Sequence, residues 1–123
     1  MAAPQGADVR LEDQQKINTF SRLNTRLHEL EAQLTAKKAD AEDLEEAGNE
    51  VMLLDDETVP YVVGECLVHL PREEVEERLQ TALDEAQAGI KEVEGEMRRV
   101  KAQMGELKTL LYARFGSSIN LEE

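Results

Sequence analysis

The chain contains few side chains of the types that bind transition metals or act as nucleophiles: one cysteine and two histidines. Cys66 and His69 lie three residues apart in an apolar run typical of a strand, and residues with odd spacing on a strand point to opposite faces. His28 is far from both in the sequence. Because a zinc site needs clustered ligands, we interpret both histidines as structural or surface residues.

Acidic residues are abundant and raise the question of a calcium site. The Asp-Asp-Glu run at 55–57 lacks the alternating acidic ligands, followed by glycine and a distant glutamate, of a calcium-binding loop. The runs at 42–46 and 73–77 are typical of solvated helix faces, which can also guide docking to a basic protein surface. The sequence also has no glycine-rich phosphate-binding loop and no Ser/His/Asp set, so we predict no enzyme activity, no metal and no cofactor.

The overall charge narrows the classes of partner. Fourteen Lys and Arg residues stand against 27 Asp and Glu residues among 123, which gives a net charge of −13. This charge repels nucleic acid backbones and anionic lipid headgroups, so we expect neither nucleic acid nor membrane as a partner. No stretch reaches the roughly 18 consecutive apolar residues of a membrane-spanning helix. A single cysteine, and a first segment without the features of a secretion signal, predict a reducing, cytoplasmic environment.

Two long tracts with few helix-breaking residues predict two helices, over 11–54 and 71–115. Both carry apolar residues at an average spacing of 3.5 residues, which is typical of a coiled-coil seam. The first seam consists of Phe20, Leu23, Leu27, Leu30, Leu34, Lys37, Ala41, Leu44, Gly48 and Val51. The second consists of Val75, Leu79, Ala82, Ala86, Ile90, Val93, Met97, Val100, Met104, Leu107 and Leu111. The terminal residues 1–10 and 116–123 are predicted to be flexible.

The segment between the helices, residues 55–70, predicts a β-hairpin. Residues 59–63 and 66–70 are rich in β-branched and apolar side chains and meet at Gly64-Glu65, a turn signal. Both faces of this ribbon carry apolar side chains. Because an isolated two-stranded ribbon is marginal in water and has unpaired edges, we expect it to pair with other chains.

The short connection predicts an antiparallel two-helix coiled coil, a mainly α fold. Phe20, Tyr112 and Phe115 then lie far from the β segment, together with Leu11 and other apolar residues of the chain's end. Two interpretations stay open for each of them. Either they form an exposed apolar tip that binds other molecules, or they close the last turns of the seam while the tail frays.

Three blocks of the sequence resemble the β-type subunits of the prefoldin family. They are LEDQQKINTF at 11–20, MLLDDE at 52–57 with VPY at 59–61 and GE at 64–65, and LYARFGSSINL at 111–121. These turn and tail strings are specific, because generic coiled coils share Leu and Glu but not these blocks. A middle segment with room for one hairpin also fits the β-type, since α-type subunits insert two.

The resemblance implies a subunit of a heterohexamer of α- and β-type subunits, whose hairpins assemble into inter-subunit β-barrels. It further implies that the coiled-coil tips hold unfolded or nascent proteins, notably actin and tubulin, without ATP and deliver them to the cytosolic chaperonin. The implied location is cytoplasmic, and a nuclear one stays open. The alternative is a structural coiled-coil tether or scaffold subunit that holds no client.

The resemblance also implies two sets of functional residues, each in a separate part of the chain. The predicted client-binding set is Leu11, Ile17, Phe20, Leu111, Tyr112, Phe115, Ile119 and Leu121. The predicted assembly set is Val59, Tyr61, Val63, Cys66, Val68 and Leu70.

Overall fold

A computed structural model describes residues 11–116, 119 and 121 of the chain. The elements are α1 (Leu11–Met52), β1 (Thr58–Val63), β2 (Cys66–Pro71) and α2 (Arg72–Phe115). The predicted fold class is confirmed, because two long helices are joined by a two-stranded antiparallel hairpin. The N-terminal segment 1–10, predicted to be flexible, lies outside the described residues.

The helix boundaries next to the hairpin differ slightly from those predicted. Helix α1 ends at Met52 instead of residue 54, and the amides of Leu53 and Leu54 donate to carbonyls three residues earlier, as in a tightened last turn. Pro71 is the last residue of β2, opposite Thr58, and not the first residue of α2. The Arg72 amide then donates to the Glu57 carbonyl at 2.9 Å, which ties the start of α2 to the segment before β1.

The hairpin has a two-residue loop, since Val63 pairs with Cys66 across Gly64 and Glu65. Gly64 has a φ of +62°, whereas no residue other than glycine has a positive φ in the described part of the chain. A positive φ at the first loop residue alone is the pattern of a type II′ turn, and glycine adopts it without steric strain. The Gly-Glu pair therefore determines where the chain reverses.

The chain divides into two compact units. The first contains residues 11–33 of α1 and 93–115 of α2, with Gly116, Ile119 and Leu121. Within it the helices run antiparallel, because Asp13 meets Arg114 and Arg26 meets Glu96. Seven of its buried side chains come from the two predicted seams. They are Phe20, Leu27, Leu30, Val93, Val100, Met104 and Leu111.

The second unit contains residues 34–92, including the hairpin. Its core is small and consists of Val51 from the end of α1, Val59 from β1 and Val75 from the first turn of α2. Tyr61, Leu70 and Leu79 are partly buried against this core. One face of the hairpin is thus packed within the chain, and this contact holds the ribbon against the helix ends.

Candidate binding surfaces

The hairpin has two different faces, which follow from strand alternation. Val59 and Tyr61 lie on the face that packs on the valine core. Val62 and Leu67, directly opposite each other across the strands, belong to the other face and are 65% and 63% exposed. We call Val62 and Leu67 the outer face of the hairpin.

The predicted assembly set lies on the inner face, and its members are covered to different degrees. Val59 is buried, while Tyr61, Val68 and Leu70 are half-buried. Val63 and Cys66 are exposed at the hairpin end. The Arg78 guanidinium lies over the Tyr61 ring at 5.7 Å from its centroid, so this tyrosine is also shielded by a side chain of α2.

The sequence prediction omitted Val62 and Leu67 from the assembly set, although they are the most exposed apolar side chains of the hairpin. The period-two alternation shows that they share a face, but both faces of this ribbon are apolar in sequence. Only the position of the valine core decides which face is left uncovered. The outer face and the two unpaired strand edges are therefore what the hairpin offers to another chain.

A groove of about 710 Å³ lies between the last turns of α1 and the first turns of α2 in the second unit. Its apolar lining residues are Leu44, Met52, Leu79 and Leu83, and its acidic ones are Glu45, Glu73, Glu76 and Glu77. Leu53 follows Met52, the last residue of α1, and is 84% exposed. The groove therefore combines apolar surface with negative charge.

Apolar side chains gather in the first unit, where α1 begins and α2 ends. We call Phe20, Leu111, Phe115, Ile119 and Leu121 the end cluster, and all five are buried. Ile119 and Leu121 lie beyond the end of α2, yet they are only 6% and 8% exposed. The Leu121 amide donates to Tyr112 Oη at 3.3 Å, so the tail is also held by its backbone.

A polar contact accompanies the end cluster. Asp13 is buried, and Arg114 Nε donates to its Oδ2 at 3.3 Å. The same guanidinium lies over the Phe115 ring at 5.6 Å from its centroid. Arg114 thus joins the first turn of α1 to the last turn of α2, where a cation also suits the helix dipole.

An exposed apolar tip was one of the two interpretations of these residues, and the exposure it implies is wrong for most of the predicted client-binding set. Five of its eight members form the buried end cluster, Ile17 and Tyr112 are half-buried, and Leu11 alone is largely exposed, at 75%. The reason is that two tail residues add apolar surface that a helix pair lacks. The second interpretation, in which Phe20 and Tyr112 close the seam, agrees with the burial of Phe20 and the partial burial of Tyr112, but its fraying tail disagrees with the burial of Ile119 and Leu121.

Farther along the first unit, Arg26 bridges the helices. Its Nε and Nη2 atoms both lie 2.7 Å from Glu96 Oε2, and its Nη1 lies 3.3 Å from Glu29 Oε2. The hydrogen bonds to Glu96 and then Glu29 raise the pKa of the Arg26 guanidinium above its ordinary value. The bridge adds a polar connection between the antiparallel helices beside the apolar seam.

The remaining candidates from the sequence lie on the surface. His28 Nδ1 is 3.5 Å from Glu31 Oε2 on an exposed face of α1, and His69 is exposed on β2. Among the described residues, no three His, Cys, Asp or Glu side chains come together as metal ligands. None of the helices within residues 11–116 combines the length and apolarity needed to cross a lipid bilayer.

Two long helices joined by an apolar β-hairpin define a class of coiled-coil subunit, and comparisons with known proteins specify the family. The family model "Prefoldin subunit" matches residues 14–118. Prefoldin subunit 4 of Homo sapiens is 38% identical over 123 residues, covering 98% of this chain and 92% of the relative. Probable prefoldin subunit 4 of Drosophila melanogaster is 39% identical over 115 residues, covering 93% and 83%. The chain therefore belongs to the prefoldin family.

A solved structure supports the fold independently. The prefoldin beta subunit from Thermococcus strain KS-1 superimposes with a TM-score of 0.81, covering 89% of this chain and 96% of that one. The sequence identity is 14%, so this likeness concerns the fold alone. It agrees with the predicted fold of two long helices joined by one β-hairpin.

Proposed function

We propose that the chain is a β-type subunit of a hexameric prefoldin co-chaperone, and that its hairpin joins α- and β-type subunits in inter-subunit β-barrels. The observation that carries the proposal is the outer face of the hairpin, where Val62 and Leu67 are about two-thirds exposed. A two-stranded ribbon with exposed apolar side chains and unpaired edges is unfavourable in water, and pairing with further strands removes both liabilities.

The function we propose for the assembled subunit is to hold unfolded or nascent proteins, among them actin and tubulin, at the helix ends far from the hairpin in sequence. Prefoldin is a chaperone family, and the end cluster gathers apolar side chains that offer a surface for unfolded chains once they are uncovered. Binding of this type needs burial of apolar surface and no ATP hydrolysis. Delivery to the cytosolic chaperonin and a cytoplasmic location, with a nuclear one open, belong to the same proposal.

Coexpression with α- and β-type partner subunits tests the assembly. The expected result is a complex with the mass of a hexamer in native mass spectrometry, containing this chain. A chain that stays monomeric in the presence of all partners would contradict the proposal.

A holding assay then separates a chaperone from a coiled-coil tether. Actin diluted from denaturant should aggregate less in the presence of the purified hexamer, without ATP, than in the presence of an equal mass of serum albumin. A hexamer that assembles but leaves actin aggregation unchanged would support the tether alternative. Transfer is measured by adding chaperonin and following the appearance of native actin.

A further inference from the structure

Two described residues that follow α2 in the first unit, Ile119 and Leu121, are buried. Helix α2 ends at Phe115, and Gly116 follows with a φ of +59°, a left-handed conformation common just after a helix. A segment beyond such a stop is ordinarily exposed to water. Ile119 and Leu121 are instead almost fully buried, which shows that the end of this unit accepts apolar side chains from outside the helix pair.

The spacing of the two buried residues is informative. Positions that are two apart lie on the same side of an extended segment, so Ile119 and Leu121 are spaced as an extended chain presents neighbouring side chains to one surface. The burial of these two side chains thus does not require that their segment be helical. An unfolded polypeptide contains many pairs of apolar residues with this spacing.

A hydrogen bond adds a feature that does not depend on side chains. Tyr112 Oη accepts a bond from the Leu121 backbone amide at 3.3 Å. Every residue except proline carries this donor. Two apolar side chains and one backbone amide are therefore the groups that the site engages, and any unfolded polypeptide offers them in almost any sequence.

We propose that Ile119 and Leu121 of the tail occupy a site that a client segment can also bind. The helix residues of the end cluster, Phe20, Leu111 and Phe115, bind a client segment with apolar residues two positions apart, in the place of Ile119 and Leu121. Tyr112 Oη accepts a hydrogen bond from one backbone amide of that segment. This inference rests on the proposed holding function and names the class of polypeptide segment that the site takes. The tail and the client then compete, because one set of contacts serves both.

The competition has a predictable size. The apparent affinity for a client equals the intrinsic affinity multiplied by the fraction of molecules in which the tail is displaced. A tail that covers the site nine-tenths of the time weakens client binding about tenfold. Replacing the apolar side chains of the tail, without shortening the chain, should raise the apparent affinity for a client by this factor.

The test uses the assembled hexamer and a synthetic peptide with the sequence of residues 116–121, Gly-Ser-Ser-Ile-Asn-Leu, in which a photoreactive residue replaces the asparagine. Photocrosslinking resolved by mass spectrometry reports binding at this chain and not at other subunits. Hexamers contain the native chain, the Ile119→Ser/Leu121→Ser variant, or Leu110→Ser as a matched control. Leu110 is 51% exposed on α2 and outside the end cluster.

Half-maximal crosslinking to this chain is expected at an about tenfold lower peptide concentration in the tail variant than in the native or control hexamer. A peptide with serine at both apolar positions should not crosslink, and the active peptide should relieve the suppression of actin aggregation by the tail variant. Equal or weaker crosslinking in the tail variant overturns the inference. If the double variant fails to assemble, Leu121→Ser alone should also lower the peptide concentration for half-maximal crosslinking, but by a smaller factor.

The two proposals fail in different ways. A native hexamer that does not suppress actin aggregation contradicts the holding function, whatever the peptide does. In the other case, the native hexamer holds actin, but the tail variant holds it less well and binds the peptide no better. This result supports the holding function and refutes the competition between the tail and the client. In that case Ile119 and Leu121 belong to the client-binding surface itself.

Discussion

The outer face of the hairpin allows a quantitative prediction about assembly. The perturbation is the double substitution Val62→Ser/Leu67→Ser, which keeps the strand backbone and removes apolar side chains that are 65% and 63% exposed. Neither residue belongs to the valine core formed by Val51, Val59 and Val75. The isolated chain should therefore lose little stability, on the order of 0.5 kcal/mol or less for each exposed position.

The effect on association follows from the area that assembly would bury. Fully burying a Val or Leu side chain contributes about 1.5–3 kcal/mol, so burying the exposed two-thirds of each contributes about 1–2 kcal/mol. The pair together contributes about 2–4 kcal/mol. Because 1.4 kcal/mol corresponds to a factor of ten, the double variant should join its partner subunits with roughly 30- to 700-fold weaker affinity.

Native mass spectrometry over a dilution series measures this change, with circular dichroism as a check that the helices persist. Leu110→Ser is the matched control, because it removes a leucine that is 51% exposed on α2 and lies far from the hairpin in sequence. The control should assemble as the native chain does. A double variant that assembles with native affinity would refute the argument that the outer face lies in a subunit interface.

Three further predictions concern the fold. Met104→Ala, at a fully buried position, should lower the free energy of unfolding by about 2–5 kcal/mol in chemical denaturation. Leu110→Ala, at an exposed position, should change it by about 0.5 kcal/mol or less. Equal effects of the two substitutions would contradict the packing of the first unit. Gly64→Ala should destabilise the hairpin by about 1–2 kcal/mol, because alanine is strained at a φ of +62°. The hexamer that contains this variant should therefore dissociate more readily on dilution. Dissociation at the same concentration as for the native chain would argue against this turn. Arg26→Ala should lower the melting temperature slightly at low salt and less at high salt, because the ion pair with Glu96 is accessible to solvent and salt screens it. A large decrease that does not depend on salt would show that the ion pair is shielded from solvent.

Much of the fold could be predicted from local sequence patterns. The 3.5-residue spacing identified seam residues such as Leu27 and Met104, which are buried. Gly64-Glu65 between two β-branched runs located the reversal of the hairpin. These features are accessible because helix periodicity and turn chemistry depend on residues within a few positions of one another.

The candidate surfaces could be predicted only in part. Alternation showed that Val59 and Val62 lie on opposite faces of β1, but both are valines, so nothing local distinguishes the covered residue from the exposed one. Pro71, predicted as the first residue of the second helix, is instead the last residue of β2, because Thr58, a distant residue in sequence, pairs with it. Each of these outcomes depends on a contact between separate segments.

By itself, the sequence determined two seamed helices, a hairpin between them and the strings that resemble the prefoldin family, because each depends on neighbouring residues. The tertiary structure alone decided what covers each apolar surface. It placed Val59 on the valine core and left Val62 exposed, and it buried Ile119 and Leu121, residues of a tail whose pattern predicted flexibility. The physical reason is that periodicity specifies which side chains share a face, whereas exposure depends on the partner that meets that face.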